Sequence, residues 1–119
     1  MKPINSVIIL LTLALASGTG HAADAEAGLL AIQALGGVNG QALACSEVQV
    51  AARAKSLMLA HAPKTERFGR AYEEATQAAY VGQTRATDPC PGAVSLTDRI
   101  NRIALELATT LPVVAAEPR

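Results

Sequence analysis

Apolar positions along the chain recur at helical spacing, and the clearest series lies near the C-terminus. It alternates in steps of four and three residues: Leu96, Ile100, Ile103, Leu107 and Leu111. Ser95 and Asp98 have the spacing of a capping box, so we expect this helix to begin at Ser95 and to end before Pro112. Ion pairs at spacing four, Asp98–Arg102 and Arg102–Glu106, would support it.

A second amphipathic helix is predicted over residues 65–81. Its apolar positions also recur in steps of four and three: Phe68, Tyr72, Ala75 and Ala79. Glu66 and Arg70 are four residues apart and can pair on the solvent face. Gly82 is a plausible end for this helix.

The stretch 41–61 predicts a helix with two apolar stripes. One stripe contains Leu43, Val50, Ala54 and Leu57, and the other contains Cys45, Val48, Ala52 and Leu59. A helix that is apolar around most of its circumference is usually central, with neighbours on two sides. We therefore expect this helix to be the centre of the fold.

A short helix over 25–35 precedes it and should end at Gly36-Gly37, since the sequence GGVNG has the composition of a loop. No strand pattern competes with these helices. The sequence therefore predicts an all-α fold: a small bundle of three main helices plus one short N-terminal helix. Alanine supplies much of the apolar content, so the core should be thin and in need of a covalent link.

The N-terminus is typical of a secretory signal peptide. Lys2 precedes an apolar run from Val7 to Ala16, which is too short to span a bilayer, and small residues follow up to Ala22. The predicted organisation is a signal peptide over 1–22, a helical domain over 23–112 and a flexible tail over 113–119. The mature protein should then be periplasmic or secreted.

The charge balance argues against several classes of partner. Without Lys2, nine of the ten basic residues remain against ten acidic residues, so the mature chain is nearly neutral. This excludes the basic surface that nucleic acid or a membrane would require. A weakly basic stretch could dock an acidic partner protein; it contains Arg53, Lys55, Lys64, Arg67 and Arg70.

Cys45 and Cys90 are the two cysteines of the chain. In an oxidising compartment such a pair most simply forms one structural disulfide. Pro89 and Pro91 flank Cys90 and stiffen the segment that presents its sulfur. The sequence CPGA lacks the second cysteine of a thioredoxin-type motif, which leaves Cys90 as an anchor.

Met58 and His61 are three residues apart and could share a cuprous ion, because soft ligands suit that metal. The alternative is that Met58 packs in the core and His61 interacts with the helix dipole in the last turn. No set of nucleophile, base and orienting group can be assembled, so we expect no enzymatic activity and no cofactor.

The outline of the chain, an exported all-α domain with one long-range disulfide, is similar to that of the periplasmic acid-stress chaperones. Small exported helical inhibitors and immunity proteins have the same outline, and outline alone does not transfer a functional residue. We expect a small exported, non-enzymatic helical protein that binds another protein. The alternatives are a small periplasmic copper-binding protein using Met58 and His61, or an accessory subunit of an exported enzyme.

Overall fold

The computed structural model describes residues 20–113, with side chains from residue 24 onward. The described part consists of four helices: α1 (Gly20–Ala44), α2 (Val48–His61), α3 (Glu66–Arg85) and α4 (Ala93–Thr110). The described part contains no strand, which confirms the all-α prediction. Its four helices also match the predicted number. The predicted signal peptide and tail lie outside the described residues, apart from residues 20–22 and 113. Within this range, no helix is both long and apolar enough to cross a membrane.

The prediction of a short first helix ending at Gly36-Gly37 is wrong. α1 is the longest helix, with 25 residues, and continues through both glycines and through Gly40. Gly36 and Gly40 face α3, where a Cβ on Gly36 would lie 2.9 Å from the Cβ of Ala75 and a Cβ on Gly40 would overlap the Thr76 carbonyl oxygen. These two glycines therefore permit close packing of two helices and do not end one.

α1, and not the predicted helix over 41–61, is the central element. All three other helices pack on α1; α2 also packs on α4, whereas α3 packs mainly on α1 and touches the other helices only slightly. α1 supplies a large share of the buried apolar residues: Leu29, Ala31, Ile32, Leu35, Val38 and Ala42. The core is thus built around α1, with α2 and α4 contacting each other and α3 attached along the glycine face.

The single helix predicted over 41–61 is divided by a turn at residues 45–47. Ser46 has a left-handed backbone conformation, with φ 59°. Its N–H donates to the Leu43 carbonyl at 3.3 Å, and the Glu47 N–H donates to the Ala42 carbonyl at 2.8 Å. This pair of bonds is a Schellman motif, which ends α1 and redirects the chain into α2.

α3 has the predicted apolar face but continues past Gly82 to Arg85. Phe68 is buried, and Tyr72, Ala75 and Ala79 are half-buried. The predicted pair of Glu66 and Arg70 is present. In the described range one further ion pair forms, between Arg67 and Glu26 at 3.3 Å.

The apolar stripe of α4 is confirmed in full. Leu96, Ile100, Ile103 and Leu107 are buried, and Leu111 packs against the same core. The predicted start at Ser95 is wrong, because α4 begins directly after Gly92 and has no side-chain cap. Ser95 therefore lies inside the first turn, and the predicted pairs of Arg102 with Asp98 and Glu106 are not among the two ion pairs of the described residues.

Candidate protein-interaction surface

Cys45 and Cys90 form the predicted disulfide, with their Cα atoms 5.7 Å apart. Cys45 is the first residue after α1, and Cys90 lies in the segment 86–92 between α3 and α4. The bond therefore joins the turn that ends α1 to the segment that leads into α4. In the described structure both sulfurs are consumed in this link, which places Cys90 as an anchor.

Gln83 adds a polar connection beside the disulfide. Its side-chain nitrogen donates to the Asp88 carbonyl at 3.5 Å and lies 3.9 Å from the Cys90 sulfur. Its side-chain oxygen accepts a hydrogen bond from Gln41 of α1 at 3.5 Å. These contacts hold the segment 86–92 against both α1 and α3.

Met58 and His61 each have a structural role in α2. The Met58 side chain packs against the hydrophobic core. His61 Nδ1 donates to the Leu111 carbonyl at 2.7 Å, which connects the last turn of α2 to the residue that caps α4. Among the described residues no group of three or more His, Cys, Asp or Glu side chains is arranged to hold a metal ion.

The predicted basic stretch does not form one continuous basic surface. Four of its five side chains are engaged within the chain: Arg67 with Glu26, Arg70 with Glu66, Arg53 with Asn101, and Lys64 with the Leu59 carbonyl. Lys55 is different, since it makes no ion pair and no side-chain hydrogen bond with any described residue. Within the described residues, Lys55 on α2 is therefore the one cation of the stretch that has neither an ion pair nor a side-chain hydrogen bond.

The second apolar stripe of α2 faces solvent, contrary to the prediction that a neighbouring helix covers it. Val48 is 70% exposed, Leu59 is 60% exposed, and Ala52 between them is also exposed. The first stripe is buried in part: Val50 and Ala54 are buried and Leu57 is half-buried, but Leu43 is 51% exposed. α2 thus has helical neighbours for only one of its two apolar sides within the described structure.

An open groove runs beside this stripe, between α2 and α3, and we call it the α2 groove. It has a volume of about 410 Å³ and is lined by Asn39, Leu43, Val48, Ala51, Ala52, Lys55 and Tyr72. α1 lies at the base of the groove. α2 and α3 both pack on α1 and have far less contact with each other. Three helices therefore contribute to one largely apolar surface.

The polar groups of the α2 groove are few. The Asn39 side chain is buried and donates to the Thr76 hydroxyl at 3.2 Å, so its role is to fasten α1 to α3. Burial raises the pKa of Tyr72 to about 12, so its phenol, which is neutral at physiological pH even at the ordinary value of 10.0, adds no charge to the groove. Lys55 is the single charged side chain among the lining residues.

A second apolar patch lies between α1 and α4. It includes Ala27, Leu30 and Leu105, the last of which is 72% exposed. This patch extends towards both ends of the described range, since Ala27 is three residues from Asp24 and Thr110, which also lines it, is three residues from Val113. The α2 groove, in contrast, lies well inside that range and is bounded by described side chains on every helix that forms it.

One residue in the sequence indicates that the second stripe of α2 is exposed. The prediction of a central helix over 41–61 does not take it into account. Lys55 falls within the stripe of Val48, Ala52 and Leu59, and a lysine is rarely fully buried. A cation in that position indicates a solvent-facing stripe. The contribution of Tyr72 from α3 could not be seen in the sequence, because it depends on the packing of α3 against α1.

No protein-family model, no curated protein and no solved structure matches this chain. The function of this chain therefore has to be inferred from its own geometry and chemistry.

Proposed function

We propose that this chain is a small exported, non-enzymatic helical protein that acts by binding another protein through the α2 groove. The observation that carries the proposal is the exposed apolar stripe of α2, with Val48 and Leu59 more than half exposed. Clusters of large apolar side chains on a surface are typical of interaction sites. Three helices hold the groove in shape, so little ordering cost would oppose association.

The proposed location is the periplasm or the extracellular space. The N-terminal sequence supports it through Lys2, the apolar run and the small residues before Ala23. The disulfide is consistent with it, because such bonds persist in oxidising compartments. Mass spectrometry of the protein from its native host should find Ala23 at the N-terminus, and an intact Met1 would contradict export with cleavage.

Photo-crosslinking in the native host tests the binding site. The photo-reactive amino acid benzoylphenylalanine replaces Ala52 in the α2 groove or, as a control, the exposed Ala108 on α4. We expect Ala52 to yield a protein adduct of defined mass that Ala108 does not yield.

A matched pair of substitutions makes the test specific. Val48→Glu should abolish the Ala52 adduct, whereas Leu105→Glu, at an equally exposed leucine outside the groove, should leave it unchanged. No adduct at Ala52, or equal adducts at Ala52 and Ala108, would refute the proposed site. Loss with Leu105→Glu but not with Val48→Glu would assign binding to the patch between α1 and α4.

A further inference from the structure

The exposed stripe of α2 has the spacing of a surface that packs against another helix. Its members follow one another in steps of four, three and four residues: Val48, Ala52, Lys55 and Leu59. At 1.5 Å per residue the stripe is about 17 Å long, or three helical turns. Leu59 continues the stripe beyond the residues that line the α2 groove. An apolar groove bordered by helices accommodates an amphipathic helix, whereas an extended peptide would need backbone hydrogen-bonding groups that helix faces do not offer.

The amino-acid pattern of α2 also indicates a helical neighbour on this side. Helices with apolar residues around most of their circumference normally contact neighbours on two sides. α1 and α4 cover the side of α2 that carries Val50 and Ala54. The opposite side has the same apolar character and lacks a covering helix within residues 20–113.

Lys55 determines which kind of helix fits. It lies among apolar side chains, and no carboxylate is present among the residues that line the α2 groove. A neutral or basic partner would remove water from this ammonium group without replacing its interactions, which costs free energy. An acidic side chain placed opposite Lys55 would compensate for the lost water and would also fix the register of the partner.

We propose that the occupant of the α2 groove is an amphipathic helix of a partner protein that presents a carboxylate to Lys55. This inference rests on the proposed function and adds the chemistry of the partner. Val48, Ala52 and Leu59 would contact the apolar face of that helix, and Lys55 would pair with its acidic residue.

Synthetic peptides test the charge preference directly. Two labelled amphipathic peptides of about 18 residues, or five turns, have the same leucine and alanine face and differ in having glutamate or lysine beside it. Fluorescence anisotropy with the mature, disulfide-bonded protein should show roughly tenfold tighter binding of the glutamate peptide. Lys55→Glu should reverse this preference, with an unchanged melting temperature as the check of folding.

Arg85→Glu is the matched control, because it makes the same change in net charge at an exposed cation outside the α2 groove, at the end of α3. It should leave the preference for the glutamate peptide intact. Equal effects of Lys55→Glu and Arg85→Glu would overturn the inference, since they would indicate general charge attraction. Absence of binding by both peptides would overturn it as well.

The crosslinking experiment separates failure of this inference from failure of the proposed function. An Ala52 adduct that persists unchanged in Lys55→Glu would leave a protein-binding groove and overturn the acidic partner. An adduct with the mass of two copies of this chain would identify the groove as a self-association surface and also overturn it. Loss of the hetero-adduct in Lys55→Glu, but not in Arg85→Glu, would support the inference together with the peptide result.

Discussion

Ser46 illustrates how one residue determines the path of this chain. It occupies the left-handed position after α1, where glycine is the usual residue, and it is the one non-glycine residue with positive φ in the described range. The left-handed conformation costs an L-residue about 1–2 kcal/mol because the Cβ crowds the backbone. Ser46 adopts this conformation despite the cost, and the Ser46 and Glu47 N–H groups form the two hydrogen bonds of the Schellman motif.

Ser46→Gly should therefore increase the free energy of unfolding by about 0.5–1 kcal/mol. The gain is smaller than the full backbone cost, because glycine also increases the freedom of the unfolded chain. Urea denaturation of the oxidised protein measures the difference. Ser46→Ala is the control, since it retains the Cβ and should give no such gain; a decrease for Ser46→Gly would contradict the account.

Tyr72 gives the fold a specific dependence on alkaline pH. Burial raises its pKa from 10.0 to about 12, so the unfolded chain loses the phenolic proton first as the pH rises. Its contribution to stability is complete below pH about 10 and declines as the pH approaches about 12. Tyr72→Phe should remove this part of the decline between about pH 10 and about pH 12, as measured by urea denaturation. The same decline in Tyr72→Phe as in the parent protein would contradict this assignment.

At the scale of helices, α1 shows why the positions of glycines are ambiguous in a sequence. Glycine ends many helices, and it also permits another backbone to approach closely. The sequence cannot distinguish these roles at Gly36 and Gly40, because the distinction depends on α3, which is more than 20 residues further along the chain. The left-handed residue just beyond the true end of α1 is Ser46, so no glycine marks this end in the sequence.

The stripe of α4 could be predicted because it depends on spacing alone. Five apolar residues at alternating steps of four and three define one face of a helix, and the same five contact the core. The face of α3 was predictable for the same reason. The exposed stripe of α2 was not, since apolar spacing shows that residues share a face but does not show whether a neighbour covers it.

Substitutions at two glycines three residues apart should have opposite effects on the stability of the fold. Gly40→Ala places a Cβ against the Thr76 carbonyl oxygen and 2.8 Å from the Ala79 Cβ, so we expect destabilisation by about 1–3 kcal/mol. Gly37→Ala meets nothing within 4 Å and should stabilise the helix by about 0.5–1 kcal/mol. Thermal and urea denaturation of both variants check this prediction. Stabilisation by Gly40→Ala would mean that α3 does not approach α1 as described.

At the scale of the whole molecule, the attachment of α3 differs from that of the other helices. α2 and α4 pack on α1 and on each other, whereas α3 packs almost entirely on α1, along Gly36 and Gly40. The chain connects α3 to α2 through residues 62–65, and the disulfide fastens the segment after α3 to the end of α1. The thin core predicted from the alanine content therefore includes one helix for which the covalent link is especially important.

Loss of the disulfide should accordingly reduce stability while the helices remain. Cys45 and Cys90 are 45 residues apart, and opening a link of this length costs roughly 2–4 kcal/mol, mainly because the unfolded chain gains freedom. Cys90→Ser, or reduction, should therefore lower the melting temperature by roughly 8–30 °C for a domain of this size. Far-ultraviolet circular dichroism below the transition should stay helical.

Pro91→Ala provides the graded control for this prediction, because it loosens the segment around Cys90 and leaves the covalent link in place. Its effect on the melting temperature should be much smaller than that of Cys90→Ser. Thiol labelling of the mature protein without reductant should detect no free cysteine, in agreement with the bond between Cys45 and Cys90. Two freely reactive thiols in the folded, air-equilibrated protein would contradict the anchoring role of Cys90. α3 would then have to be held by helix packing, without a covalent link.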